Sequence, residues 1–476
     1  MKPRPAAPDI GRGAAQSQWF SALFGAFLGV TLLKFGNPPI MERWVTPPAN
    51  AYEFVLGTPW PISWAYILLA FVSLAGLAFA SRNVDAPLWL VVLPLIWVVW
   101  ECISAMWTVN SGLSRPTIVH FVACAACFYL GYFALGPTWR PAAFWPGLIA
   151  GLLIVIAVGW EQHFGGLEQT RQYFYLYLYP RMKEVPAEYI KKLSSTRIFS
   201  TLFYPNALAG AFLLLLPAAL EFIWQARHRF TTGARTFLVL SIASASLACL
   251  FWSGSKGGWL LMLMLGLLRL FRFQFSPTIK HAVLGSVLTL GLGAFFWKYS
   301  GFFQKGATSV SARFDYWEAA LKTTLAHPLV GTGPGTFSAA YAQIKRPESE
   351  MARLAHNDYL QQASDSGLPG FVLFTGFVVA TLILSTRSFR AKAHRLADQA
   401  SSATSASKVK ALKSRSELAA AGNGDASALS FAMWMGVLGW SLQSFLEFGL
   451  YIPALAWPAF AFFGLLLRES YASQME

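Results

Sequence analysis

Apolar residues run through this chain in long unbroken blocks, without the alternation of a half-buried strand or the i, i+3, i+4 stripe of a surface helix. Trp89–Trp100 is solidly apolar, for example. Blocks of this kind fall near 19–36, 61–80, 88–107, 117–136, 144–162, 203–225, 236–252, 257–271, 281–299, 368–385, 427–446 and 451–468. A bilayer core needs ~20 apolar residues per helical crossing, so the pattern predicts about twelve spans. Two are short, 236–252 and 257–271, and only Ser253-Gly254-Ser255-Lys256 separates them, which predicts a tight turn at one membrane face. A transmembrane barrel would show dyad alternation. The expected fold class is therefore an all-α polytopic membrane protein, and no repeat of 20–50 residues points to a solenoid or propeller.

Composition removes the soluble alternatives. Of 476 residues, 55% are hydrophobic and 12% charged, about half the ~25% charge of ordinary soluble domains. Phe, Trp and Tyr (39, 19 and 16) outnumber the 37 basic and 22 acidic residues together, so a soluble enzyme, a disordered chain and a disulfide scaffold are excluded. The net charge of +15 would suggest nucleic acid in a soluble protein. In a membrane protein it reads as basic cytoplasmic loops, and no nucleic-acid partner is expected. Cys102, Cys124, Cys127 and Cys249 all lie in apolar stretches, and Cys124-x-x-Cys127 has no second pair to complete a zinc site. The run Trp19–Phe35 follows Lys2, Arg4 and Arg12 without a small-x-small cleavage site, and reads as a retained first span.

Charge also orients the chain. The loop with Arg227, Arg229 and Arg235, and the stretch 386–426 with Arg387, Arg390, Lys392, Arg395, Lys408, Lys410, Lys413 and Arg415, place the N-terminus inside. The Ser/Ala/Lys composition of 398–426 reads as a flexible linker. The outer loops are basic too. Loop 163–202 carries Arg171, Arg181, Lys183, Lys191, Lys192 and Arg197; loop 300–367 carries Lys305, Arg313, Lys322, Lys345, Arg346 and Arg353. Beside the aromatic run Tyr173–Tyr179, these cations suit an anionic substrate at the membrane surface. Within 300–367, residues 311–318 predict a helix with Arg313 and Trp317 one turn apart on one face, and 327–335 a glycine-rich turn. That turn lacks the Gly-Lys-Ser/Thr of a nucleotide-binding loop.

Five pieces occur in order: Arg197-Ile-Phe-Ser-Thr-Leu-Phe-Tyr-Pro-Asn206, Ser253-Gly-Ser-Lys256-Gly-Gly-Trp, Arg313-Phe-Asp-Tyr-Trp317, Pro328-Leu-Val-Gly331-Thr-Gly333, and His356-Asn357-Asp-Tyr-Leu360 with Gly367-Leu-Pro-Gly370. Over about 195–465 the chain thereby resembles the O-antigen ligase and polymerase superfamily of bacterial envelope glycosyltransferases. The resemblance implies the lipid-dependent, multi-span glycosyltransferase type, with a large, partly helical periplasmic loop. It implies transfer of a glycan from an undecaprenyl-pyrophosphate carrier to an acceptor hydroxyl on the periplasmic side of the inner membrane, with no metal and no cofactor. O-antigen ligation to lipid A-core is the leading expectation. Polymerisation of O-antigen or exopolysaccharide, or protein O-glycosylation, are alternatives, and a transporter of the lipid-linked glycan is the non-enzymatic one; oligomeric state is left open. The expected organisation is a cytoplasmic tail 1–18, N-terminal spans with the first basic outer loop 19–194, a ligase-like core 195–468 containing the outer loop 300–367 and the linker 386–426, and a tail 469–476.

The residue types match that chemistry. A leaving pyrophosphate needs its developing charge stabilised, and guanidiniums pair bidentately with phosphate oxygens. An acceptor hydroxyl needs a base within reach, a role suited to histidine. By position in the motifs, the resemblance implies His356, Arg313 and Arg197 as catalytic residues. It implies Lys256, Asn206, Asn357 and Glu447 as substrate-binding residues, with no metal ligand. Lys256 stands where the family usually has Arg. Asn206 is expected to hold Arg197 or a substrate hydroxyl, or else to cap its helix, and Glu447 to orient an arginine or pair with a lysine. Glu101, ionisable inside a span, lies outside the recognised core. His120, His163 and His327 read as packing or surface residues.

Overall fold

The protein is described here by a computed structural model covering residues 10–475, apart from 58, 137–138, 140, 183–184, 186–189, 191–193, 272–276, 305–307, 348 and 403–426. It is an all-α membrane protein, 81% helical, with no strand among the described residues. Its N-terminal half holds α1 (Ile10–Lys34), α2 (Ile62–Leu77), α3 (Leu88–Ser104), α4 (Ser111–Tyr129), α5 (Pro141–Glu161) and the short α6 (Leu167–Tyr173). Then come α7 (Pro205–Gln225), α8 (Thr232–Ser253), α9 (Lys256–Phe271), α10 (Pro277–Gln304), α11 (Thr308–Ala326), α12 (Phe337–Ile344), α13 (Asp358–Ser402), α14 (427–443) and α15 (Pro453–Met475). Among the described residues seven helices are long and apolar enough to cross a membrane. The remaining stretches expected to span fall on α1, α2, α9, α14 and α15. The basic residues Lys183, Lys191, Lys192 and Lys305, and the linker segment 403–426, lie outside the described residues.

Burial sorts the helices. Every residue from Tyr451 to Arg468 is buried, so α15 is the central helix of the bundle. Its sequence allows this because it is apolar on all sides, as a helix without a wet face must be. The peripheral helices do the opposite. Phe71 and Leu74 on α2, Phe237 and Leu240 on α8, and Leu290 and Trp297 on α10 are exposed, as expected of side chains facing lipid tails.

Two expectations need correction. The span placed at 368–385 begins ten residues earlier, at Asp358, and bends at Gly367 (φ 71°). The same helix runs on to Ser402, so 386–402, read as linker, is helical. The arginines and alanines of that stretch, with Lys392, Leu396 and Gln399, are strong helix formers, and their propensity outweighs the missing apolar face.

α1 and α5 cross through matched small residues. Gly25 and Gly29 on α1 face Gly147 and Gly151 on α5, and a Cβ added at Gly151 would stand 2.6 Å from the Gly29 carbonyl oxygen. This small-xxx-small contact lets the two backbones touch, which is how helices associate without a hydrophobic driving force. Gly29→Leu is therefore expected to cost about 1–3 kcal/mol or more by overpacking, read as a lowered Tm of the purified protein in nanodiscs. Gly266→Leu, where a Cβ meets open space, is the control.

The connectivity brings several helix ends to one end of the bundle. The starts of α7, α9, α13 and α15 meet the ends of α1, α5, α8 and α14 there. The motif residues lie at that end.

Candidate active site

Arg197 enters on an irregular segment, 194–204, in which Ser200 and Phe203 adopt left-handed φ values of 55° and 58°. Non-glycine residues are rarely held there unless their surroundings compel it. Gln162 supplies part of that compulsion: its Oε1 accepts the N–H groups of Phe199 (3.1 Å) and Ser200 (2.7 Å). Arg197 Nε donates to the Ser253 carbonyl (2.6 Å), and Nη2 donates to Asn206 Oδ1 (2.9 Å). The Ser253 carbonyl is available because α8 ends in a left-handed Gly254 (φ 63°), which turns the chain away and leaves terminal carbonyls for other donors. Asn206 is the second residue of α7, after Pro205, and its side chain does not cap the helix. Its amide Nδ2 donates instead to Glu447 Oε1 (2.5 Å).

Glu447 is the hub. It sits in the turn after α14, with only 11% of its side chain exposed. Oε1 also accepts Arg313 Nη2, and Oε2 lies 3.1 Å from His356 Nδ1. Burial raises the Glu447 pKa, but Arg313, His356 and Arg197 outweigh it and hold the carboxyl below its ordinary value. One carboxylate thus ties together residues that are far apart in sequence, drawn from four elements.

α11 presents Arg313 to this carboxylate and, one residue short of a turn later, brings Tyr316 and Trp317 against His356. The Tyr316 ring stacks on the imidazole at 5.9 Å, the Phe448 ring meets it edge-on at 4.8 Å, and Trp317 Nε1 donates to the His356 carbonyl (3.4 Å). His356 itself is left-handed (φ 51°). With Nδ1 facing a carboxylate, the imidazole carries its proton there and keeps the Nε2 lone pair as its basic position. Nε2 has no hydrogen bond among the described residues, and the side chain is 30% exposed.

Lys256 opens α9, its Nζ lying over the Tyr299 ring at 5.2 Å. Burial, and then Arg197 and Arg313 nearby, lower its pKa to about 8. Arg313 and Arg197 share the Glu447 carboxylate, and Lys256 lies near both arginines, which leaves a positive excess suited to an anion carrying more than one charge.

The other candidates go elsewhere. Asn357 is buried, and its Oδ1 accepts the Leu360 N–H (3.0 Å), capping α13. Glu101 is buried in α3, where Ser366 Oγ donates to it (2.5 Å) and ties α3 to α13. His120 is a satisfied core residue between the Leu450 carbonyl (2.7 Å) and the Trp457 indole (3.3 Å). His163 stacks on Trp252 at 3.8 Å, and His327 lies exposed. Of the remaining cations in 163–202 and 300–367, Arg171 pairs with Glu168, Arg181 with Glu53, and Lys322 and Arg346 with Glu318. Sequence reasoning did not single out Tyr316, Phe448 or the Ser253 carbonyl. The first two adjoin motif residues, which was their only signal; a carbonyl has none.

Residues 237–375 match the family model described as O-antigen ligase, which supports the O-antigen ligase superfamily for this chain. An uncharacterized protein of Haemophilus influenzae is 26% identical over 176 residues. That match takes in 32% of this chain and 43% of the relative, so the chain spans less than half the relative's length. The family match ends at 375 and begins after Asn206, so Arg197, Asn206 and Glu447 lie outside it, while Lys256, Arg313 and His356 lie within.

Proposed function

We propose that the chain is a membrane glycosyltransferase that moves a glycan from an undecaprenyl-pyrophosphate carrier to an acceptor hydroxyl at the periplasmic face of the inner membrane, with ligation to lipid A-core as the leading case. The observation that carries this reading is the Glu447 hub, which places a histidine with a free Nε2 beside Arg313 and Arg197. The basic loop 226–235 lies at the opposite end of α7 from this hub, consistent with a cytoplasmic side there and a periplasmic site here.

In the proposed reaction the acceptor oxygen attacks the anomeric carbon as the bond from that carbon to the pyrophosphate oxygen breaks. The acceptor proton passes to His356 Nε2. The bonding electrons leave with the pyrophosphate, whose charge is met by Arg197, Arg313 and Lys256. Each cation is prepositioned, so little reorganisation accompanies charge development.

The test is a transfer assay on the full chain in nanodiscs, with undecaprenyl-pyrophosphate oligosaccharide as donor. Rough lipopolysaccharide, a lipid-linked repeat unit and a Ser/Thr-rich peptide serve as separate acceptors. Elongation of the lipopolysaccharide, persisting in EDTA, is the expected result; elongation of another acceptor selects polymerase or protein glycosylation. Binding of the donor with no cleavage under any acceptor would leave a carrier instead of an enzyme. Arg313→Ala and Arg197→Ala should weaken donor binding and turnover together, and Arg→Lys should not restore them, because an ammonium cannot make the paired contact.

Lys256 gives a pH prediction. A lysine is charged below its pKa, so with a value of about 8 in the free protein the cation is present at pH 7 and lost above pH 8. Donor kcat/KM, which reports the free enzyme, should fall across pH 8–9. Lys256→Arg should flatten that limb; a limb unchanged by the substitution would assign it to another group.

A further inference from the structure

Beside the hub lies a cavity of about 690 Å³ that the mechanism above does not use. Its walls come from the end of α1, the segment 41–59, the end of α5, α6 with the residues after it, and the segment 199–204. The lining alternates flat aromatic faces with amide and hydroxyl groups: Trp44, Tyr173 and Tyr177 among Asn37, Gln169 and Gln172. Trp44 carries the guanidiniums of Arg43 and Arg353 over its ring, at 4.2 and 4.3 Å. The tyrosine wall is fixed from behind. Glu53 is buried, and its Oε1 accepts Tyr173 Oη (2.7 Å) and Arg181 Nη2 (2.6 Å). Burial raises the Glu53 pKa, yet the bonds from Ala49, Tyr173 and Arg181 prevail and hold it at about 2. That wall stays assembled across the physiological range.

Two contacts connect the cavity to His356. Tyr204 lines it and meets Phe448 edge-on at 5.1 Å, and Phe448 meets His356 at 4.8 Å. Arg353, three residues before His356, reaches back to Trp44. The cations Arg197 and Lys256 meet Ser253 and Tyr299, and none of these residues lines the cavity. The cavity and the cations are thus joined to one network, the cavity through Tyr204 and Phe448 and the arginines through Glu447, and both routes reach the imidazole.

Resting on the proposed transferase reading, we propose that this cavity is the acceptor subsite and holds a neutral sugar ring of the acceptor glycan, its apolar face against Tyr173 and Tyr177 and its hydroxyls on the amides. A sugar ring presents C–H groups on its faces and hydroxyls round its edge, which is the pattern of this lining. The volume is in the usual range for small-molecule sites and accommodates more than one ring.

Two exposed lining positions allow substitutions expected to leave folding intact: Gln169→Trp, which narrows the cavity, and Tyr177→Ala, which removes a ring. The full chain in nanodiscs is applied to an array of delipidated bacterial core and repeat-unit oligosaccharides, and transfer kinetics are measured alongside. The wild type should bind hexose-containing oligosaccharides on the array. Both variants should lose that binding and raise the acceptor KM roughly tenfold, with the donor KM unchanged. Arg313→Ala should keep oligosaccharide binding while losing donor binding. No binding of any oligosaccharide by the wild type, or variants that raise the donor KM alone, would overturn the subsite. Oligosaccharide binding with no transfer from any donor would instead overturn the transferase reading and leave a glycan-binding membrane protein.

Discussion

His356→Ala should lower single-turnover transfer roughly 10²–10⁴-fold, the usual range for a positioned acid–base group, while donor affinity stays close to that of the wild type. The asymmetry follows from the geometry. The imidazole meets Glu447 through Nδ1 and leaves Nε2 without a hydrogen-bond partner among the described residues, whereas Arg313 and Asn206 are held through the other carboxylate oxygen. Removing the ring therefore takes away the proton acceptor and leaves the cations anchored. One complication is that His356 is left-handed (φ 51°), so alanine there is strained in its own right. His356→Asn is the companion variant, because asparagine tolerates that conformation and cannot serve as the base. Both should be equally inactive and should bind donor equally well, measured by donor titration and rapid-quench transfer. Loss of donor binding with normal turnover of bound donor would make His356 a clamp and place the base elsewhere.

What could be seen in the sequence follows from the kind of signal each feature leaves. The helical membrane architecture is written in apolar blocks such as Trp89–Trp100, because lipid demands a continuous run of apolar side chains. Arg197, Asn206, Arg313, His356 and Glu447 were expected from motifs or from family position, with Asn206 holding Arg197 and Glu447 orienting an arginine among the alternatives; the structure joins all five through one carboxylate. That joining was not legible, since Arg313 and Glu447 are 134 residues apart and nothing local couples them. For two asparagines the structure shows which protein contacts they make. Asn357, expected at substrate, caps α13, a duty any Asn before a helix can assume. Asn206, expected to hold Arg197 or a substrate hydroxyl or else to cap its helix, holds Arg197 and links it to Glu447. The cavity walls were least visible of all, because Trp44 lies far in sequence from Gln169 and Tyr173 on α6 and none of the three fits a motif.

Glu447→Gln separates the hub's two duties, and its expected signature differs from that of every other variant. Glutamine keeps the size and can still accept from Arg313, but its amide can donate to His356 Nδ1 and stabilise the tautomer that carries the proton on Nε2. That tautomer has no lone pair where the acceptor hydroxyl must deliver its proton. In the comparable Ser-His-Asp arrangement, changing the carboxylate to an amide lowers kcat about 10⁴-fold, and a loss of 10²–10⁴-fold is expected here. Donor binding should move the other way. The carboxylate is the counter-charge that Arg313 and Arg197 share, so its removal leaves more positive charge for the pyrophosphate, and donor affinity should hold or tighten. Folding stability should fall, since a buried charge set loses its partner; Arg313 and His356 are 20% and 30% exposed, which moderates the loss. The measurements are donor Kd, single-turnover rate and Tm for wild type, Glu447→Gln and Glu447→Asp. Donor affinity and turnover falling in parallel, as in Arg313→Ala, would show that Glu447 serves only to hold the arginines in place, and the histidine would then lose its orienting partner.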